Sequence, residues 1–137
     1  MPTTLNSMEF AIRPVIREDA ATWEALRCAH WPDGAADHGP EIASFFAGTL
    51  PEPLAVLVAA DPSGEIVGFT ELSVRTDLPG TENRPTGYVE GLYIRPEFRG
   101  RGLARRFLIA ARNWARAHGC QAFASDRAGR LIFDSNF

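Results

Sequence analysis

The stretch from Gly87 to His118 constrains the fold more than any other part of the chain. Gly87 to Ile94 is an apolar run in which Tyr88, Val89, Leu92, Tyr93 and Ile94 enclose one carboxylate, Glu90, and it predicts a strand. Further on, Leu103, Phe107, Ala110, Ala111 and Trp114 share one face and Arg105, Arg112 and Arg116 the other, which predicts an amphipathic helix from Gly102 to His118, ended by Gly119. Between them lies Arg99-Gly100-Arg101-Gly102, where glycine lets successive backbone N–H groups converge. A strand that leads through such a loop into a long helix needs a sheet for the helix to cover, so the chain is expected to be α/β.

The remaining periodicities fill in that sheet. Phe10 to Pro14 predicts a strand closed by proline; Glu18 and Asp19 open a helix in which Ala20, Trp23, Leu26 and Arg27 recur at helical spacing until Trp31-Pro32-Asp33-Gly34 breaks it. Pro40 to Ala47 predicts a second helix with the proline in its first position. Leu54 to Ala60 and Glu65 to Val74 read as a hairpin about Asp61-Pro62-Ser63-Gly64, Arg75 to Thr86 as a long loop, and Gln121 to Ser125 as a short strand. Residues 1–9 are expected to be a disordered leader and 10–137 one domain.

All 14 basic residues are arginine and none is lysine, which excludes a Walker A phosphate loop, Schiff-base chemistry and a Ser-Lys dyad, since each needs the ε-amine. The net charge of −3 conceals an asymmetry: Met1 to Ile94 carries 5 Arg against 14 acids, and Arg95 to Phe137 carries 9 Arg against 3. The first part is suited to cations and the second to anions. No apolar run approaches the ~18 residues of a membrane span, and Met1 to Glu9 lacks the pattern of a secretory signal. Cys28 and Cys120 make no disulfide framework, and His30, His38 and His118 have no ligand spacing, so the cytoplasm and the absence of a metal are expected.

Arg95, Arg99, Arg101, Arg105 and Arg106 crowd the start of the predicted helix, where cations oppose the macrodipole and a bound polyanion would reverse the sign. The loop therefore reads as a phosphate site. A dinucleotide fingerprint fits poorly, because Arg105 stands at its third glycine position. Nucleic acid is disfavoured by the negative net charge and the lack of interleaved exposed aromatics.

Arg99, Gly102 and Ala104, in the spacing Arg-x-x-Gly-x-Ala between an apolar strand and a long helix, resemble the acetyl-CoA-binding motif of the GNAT N-acetyltransferases. Trp23-x-x-Leu26-Arg27, Trp31-Pro32-Asp33, Glu90-Gly91, Pro96-x-Phe98-Arg99, Gly119-Cys120 and Ala124-Ser125-Asp126 widen this to a resemblance to bacterial aminoglycoside 6′-N-acetyltransferases, spanning Phe10 to about Asp126. It implies a mixed, mostly antiparallel sheet flanked by helices, with acetyl-CoA as cosubstrate. The loop Arg99, Gly100, Arg101, Gly102, Leu103 and Ala104 would hold the CoA pyrophosphate, and main-chain groups of Leu92 and Ile94 the pantetheine arm.

Direct transfer needs a neutral amine, whereas an aliphatic amine with a pKa of about 10 is protonated at neutral pH, so a base is required. In the resembled enzymes carboxylates matching Glu90 and Asp126 bind the substrate ammonium groups and assist deprotonation. Asp126 is taken as the base and Glu90 as the orienting group, with an exchange of roles left open. Trp31 as a flat wall, with Asp33, Asp37, Glu41 and Glu82 as acids in loops or at helix starts, would complete a site for a small cationic amine. Tyr88 and Tyr93 are the only tyrosines; they are expected to pack in strands, with protonation of the leaving thiolate as the alternative role for either. Family members continue beyond the Ala-Ser-Asp strand, whereas this sequence ends at Phe137, so the usual last strands are expected to be lacking. The exposed edge would then be covered by a second subunit in a homodimer or by the tail folding back in shortened form, or else the protein is a truncated and weakly active relative. The alternatives are a GNAT for another small amine or a peptide N-terminus, and a non-catalytic CoA-binding module.

Overall fold

The computed structural model describes residues 7–127 and 130–134, from 126 onward by their backbone course. The elements are β1 (Ala11–Pro14), α1 (Ala20–His30), α2 (Ala35–Ala47), β2 (Ala55–Ala60), β3 (Ile66–Arg75), β4 (Thr86–Ile94), α3 (Leu103–Ala117), β5 (Ala122–Arg127) and β6 (Arg130–Asp134). The six strands lie in chain order in one sheet. Neighbours are antiparallel except β4 and β5, which run parallel because α3 crosses over between them.

Both faces of the sheet are covered, so β3 is buried continuously from Ile66 to Ser73. On one face Trp23 and Leu26 of α1 and Ile42 of α2 pack against Val56, Val58 and Phe69. On the other, Leu103, Phe107, Ala111 and Ala115 of α3 pack against Phe10, Val67, Ile94, Leu72, Val89 and Phe123. These four α3 positions recur at i, i+4, the spacing that keeps one stripe on a flat sheet. The small side chains at 111 and 115 let the helix approach closely: a Cβ added to Gly87 would collide with that of Ala115.

Four sequence expectations change. The second helix begins at Ala35, not Pro40; it follows a 3-10 turn over Pro32–Gly34, and Pro40 lies inside it, leaving the Ala36 carbonyl without its i+4 donor. Ala115, not Trp114, completes the buried stripe of α3; Trp114 is half-buried at its margin and stacks on His118 with centroids 4.3 Å apart. Ser7–Glu9, expected within the leader, form a 3-10 turn ahead of the buried Phe10, while residues 1–6 lie outside the described residues. β5 runs through Asp126, which the sequence places just past the strand, and β6 folds back along it from Arg127↔Arg130 to Phe123↔Asp134. The edge of β5 is thus paired by the chain itself.

Candidate active site

The site grows from a bulge in β4. Glu71 of β3 pairs with Gly91 and the next residue, Leu72, with Val89, which leaves Glu90 as the extra residue. A bulge redirects side chains and interrupts pairing, and both happen at this point. The pairing of β4 with β5 ends at Val89↔Ser125, while the pairing with β3 continues to Ile94. Beyond Glu90 one edge of β4 is therefore open. The Arg95 N–H donates to the Val67 carbonyl, and the antiparallel alternation then turns the main-chain groups of Leu92 and Ile94 away from β3, toward the open side. These are the two residues the sequence picked for that role. The Ile94 carbonyl already accepts a hydrogen bond from Arg99 Nε at 2.8 Å.

The open edge leads into a cavity of about 470 Å³ lined by His30, Leu92, Tyr93, Ile94, Phe98, Arg99, Gly100, Gly102, Leu103 and Ala104. Of the eight expected cofactor residues it gathers all but Arg101. Gly100 (φ +78°) and Gly102 (φ +87°) hold left-handed backbone that other residues adopt at a cost. Gly102 is the N-cap of α3, and its carbonyl accepts the first helical bond, from Arg106 N–H. The N–H groups of the first turn, at Leu103, Ala104 and Arg105, have no acceptor within the helix and face the positive end of the macrodipole. The arginine cluster is divided. Arg95 is paired with Glu65, Arg106 donates to the Phe10 carbonyl, and Arg101 donates to the Glu97 carbonyl and lies over Phe98.

Across the bulge lies a second cavity, of about 290 Å³, lined by Arg27, Trp31, His38, Glu41, Glu52, Pro53, Glu71 and Glu90. Four of its eight residues are glutamates. Trp31 stands as its wall, so close to β4 that a Cβ on Gly91 would lie 2.5 Å from Cη2 and Cζ2 of the indole. Arg27 is buried and grips Glu71 through two bonds, Nε to Oε2 at 2.7 Å and Nη2 to Oε1 at 2.9 Å. Its Nη1 donates to Glu41 at 2.7 Å and to His38 Nδ1 at 3.2 Å. A guanidinium can only donate and a carbonyl only accept, so His38 carries its proton on Nε2, which donates to the Trp31 carbonyl at 2.9 Å. One arginine thereby fixes the floor, the acidic rim and the aromatic wall.

Glu90 points into the same cavity. Burial raises its pKa above the ordinary value, an effect partly offset by Arg75, which donates to both carboxylate oxygens at 2.9 and 3.0 Å. Arg75 also reaches Glu52 at 3.4 Å and lies over Tyr88. Among the described residues the buried Ser73 hydroxyl has no partner at hydrogen-bond geometry, yet it is near enough to Glu90 to favour its ionised form.

Trp31, Glu41 and Glu90 are thus brought together. Asp33 and Glu82, expected at the same substrate, are exposed and do not line the cavity. Glu41 lies within α2 rather than at its start. Asp126 lies on β5 one residue beyond Ser125, where β4 and β5 part; its side chain lies outside the described residues. Sequence reasoning missed Glu71, Glu52 and the role of His38. Glu71 had a signal, a lone carboxylate in an apolar strand, as for Glu90.

An opened strand thus leads into a glycine-rich helix start, with an acidic cavity across the strand. Residues 18–131 match the acetyltransferase (GNAT) family. The chain is 42% identical over 116 residues to an aminoglycoside N(6′)-acetyltransferase type 1 of Klebsiella aerogenes, covering 84% of this chain and 76% of that protein. It is 40% identical over 121 residues to one of Stenotrophomonas maltophilia, covering 85% and 76%. Among solved structures, AAC(6′)-Iy with a bisubstrate analogue, CoA-S-monomethyl-acetylneamine, superposes at a TM-score of 0.76 with 27% identity, over 87% of this chain and 80% of that one. AAC(6′)-Ih of Acinetobacter baumannii does so at 0.76 with 29% identity and the same coverage. The chain belongs to the acetyltransferase (GNAT) family. It is an N-acetyltransferase with acetyl-CoA as its acetyl donor. No helix among the described residues is long and apolar enough to cross a membrane.

Proposed function

We propose that the protein transfers the acetyl group of acetyl-CoA directly to an amino group of an aminoglycoside. The observation that carries this reading is the position of Glu90: its bulge both opens the edge of β4 toward the glycine loop and turns a carboxylate into an acidic cavity on the other side. The names of the relatives point to the same acceptor.

In this reading the N–H groups of Arg101 to Ala104 and the start of α3 bind the pyrophosphate, and main-chain groups of Leu92 and Ile94 bind the pantetheine arm. A backbone N–H of the opened strand stabilises the oxyanion of the tetrahedral intermediate. Trp31 faces a sugar ring, Glu41 and Glu90 hold ammonium groups, and Asp126, where β4 and β5 diverge, removes the proton that blocks the nucleophile. The sequence expectation of a cytoplasmic homodimer stays a proposal, which light scattering and fractionation test.

The deciding measurement is release of CoA thiol with kanamycin-class and neomycin-class acceptors, for the wild type and Asp126→Asn. Turnover with both, reduced in the variant, supports the reading. Turnover of a polyamine or a peptide N-terminus in their place overturns the acceptor, and CoA binding without turnover of any amine makes the protein a binding module.

A further inference from the structure

We propose that His30 is a further catalytic residue, whose ring carries a proton from the acetylated amine to the departing CoA sulfur. The inference rests on the acetyl-transfer reading above. His30 is the last residue of α1 and lines the larger cavity beside Leu92, Tyr93 and Ile94, while its neighbour Trp31 lines the acidic one. Its Cδ2 lies 3.7 Å from where a Cβ on Gly91 would stand, so the ring sits over the bulge at the junction of the two cavities. The indole of Trp31, the ring of Tyr93 and the ring of Phe69 surround it at centroid distances of 4.6, 5.6 and 6.1 Å.

The other histidines are committed elsewhere. His38 uses both ring nitrogens, and His118 packs on Trp114 at the end of α3. The ring nitrogens of His30 make no hydrogen bond among the described residues. Among the described residues the charged or titratable groups facing it are Glu71 from β3, Tyr93 from β4 and Arg99 from the loop after β4. Burial, aided by Arg99 and opposed by Glu71, lowers its pKa below 6.5, so the ring is neutral at neutral pH and able to accept a proton.

The proton balance is closed. Asp126 takes the first proton of the ammonium group. The amine lone pair forms the C–N bond as the carbonyl π pair moves to oxygen. On collapse that pair returns, the C–S bond breaks with its electrons on sulfur, the second proton on nitrogen passes to His30, and the imidazolium protonates the thiolate. The products are the amide and CoA thiol, with His30 neutral again and the first proton passed from Asp126 to solvent.

The test compares His30→Gln and His30→Leu with the wild type. The expected result is a fall in kcat of about 100-fold in both, with CoA affinity by calorimetry within about twofold, and loss of the acidic limb of the kcat/KM profile. Near-wild-type kcat in His30→Leu would show a packing role alone and overturn the proposal. A second readout needs no acceptor: in ring NMR of the wild type, CoA should shift the His30 titration midpoint, and desulfo-CoA should shift it less. An equal shift, or none, also overturns the proposal. If His30 responds to the thiol while no aminoglycoside is acetylated, the acceptor reading fails and this one stands; if aminoglycosides are acetylated equally well by His30→Leu, the reverse holds.

Discussion

Arg27 and Glu71 form a two-bond ion pair in the core beneath the acidic cavity, with side chains 7% and 2% exposed. Glu71 also accepts the indole N–H of Trp23 at 3.0 Å. Burial works against the charge of Arg27, but Glu71 and Glu41 together hold its pKa above the ordinary value. Arg27 is consequently a neutralised anchor beneath the acidic cavity.

Removing one partner leaves a buried charge. Glu71→Leu should lower unfolding free energy by about 3–5 kcal/mol, and adding Arg27→Met should restore most of it, since replacing both charges by apolar groups is close to neutral. Urea denaturation of the two variants tests this. An equal loss in the single and the double variant would refute the buried-charge account.

Gly91 has no side chain because Trp31 occupies the space. Gly91→Ala places a methyl 2.5 Å from the indole, and either the wall of the acidic cavity or the strand at the bulge must move. The expected outcome is a loss of about 1–3 kcal/mol in stability together with a rise in acceptor KM, and little change in CoA affinity. Unchanged acceptor KM would show that Trp31 does not shape the acceptor site.

The legible part of the molecule was the part governed by local rules. The α3 stripe, the β2–β3 hairpin and the glycine loop follow from periodicity and turn chemistry, and seven of the eight expected cofactor residues line one cavity. Pro40 misled because its preference for a first helical turn is statistical, whereas the preceding Pro32–Gly34 turn had already started the helix. The acidic cavity was half legible: Trp31, Glu41 and Glu90 meet, but the register that brings Glu71 under Arg27 joins residues 44 apart, and no local pattern encodes it. Asp33 and Glu82 show that acidity in a loop does not by itself indicate a site.

The glycine at the start of α3 combines a conformational requirement with a proposed ligand contact. Gly102 holds φ +87° and lines the larger cavity, so Gly102→Asp adds left-handed strain and a negative charge where phosphate is expected. Calorimetry should find acetyl-CoA binding abolished while the circular dichroism spectrum stays that of the folded protein. Wild-type affinity in this variant would remove the phosphate from the loop.

Glu90 offers a test in which stability and activity move in opposite directions. Half-burial raises its pKa above 4.5 despite the two bonds from Arg75, so the folded protein holds this proton more tightly than the unfolded chain does. A raised carboxyl pKa contributes stability that is complete below the ordinary value and is lost as the pH rises through the folded value. Glu90→Gln, which cannot ionise, should therefore gain stability relative to the wild type as the pH rises above about 4.5, the difference levelling off once Glu90 is ionised. Its acceptor KM should rise at the same time if, as proposed, the ionised carboxylate holds the ammonium group. Adding saturating aminoglycoside should lower the Glu90 pKa and shrink the pH-dependent stability difference. Thermal unfolding across this range, with and without acceptor, measures all three. A stability difference that is flat with pH would mean that Glu90 is not held above its ordinary pKa, and its assignment as a half-buried acid at the acceptor site would fall with it.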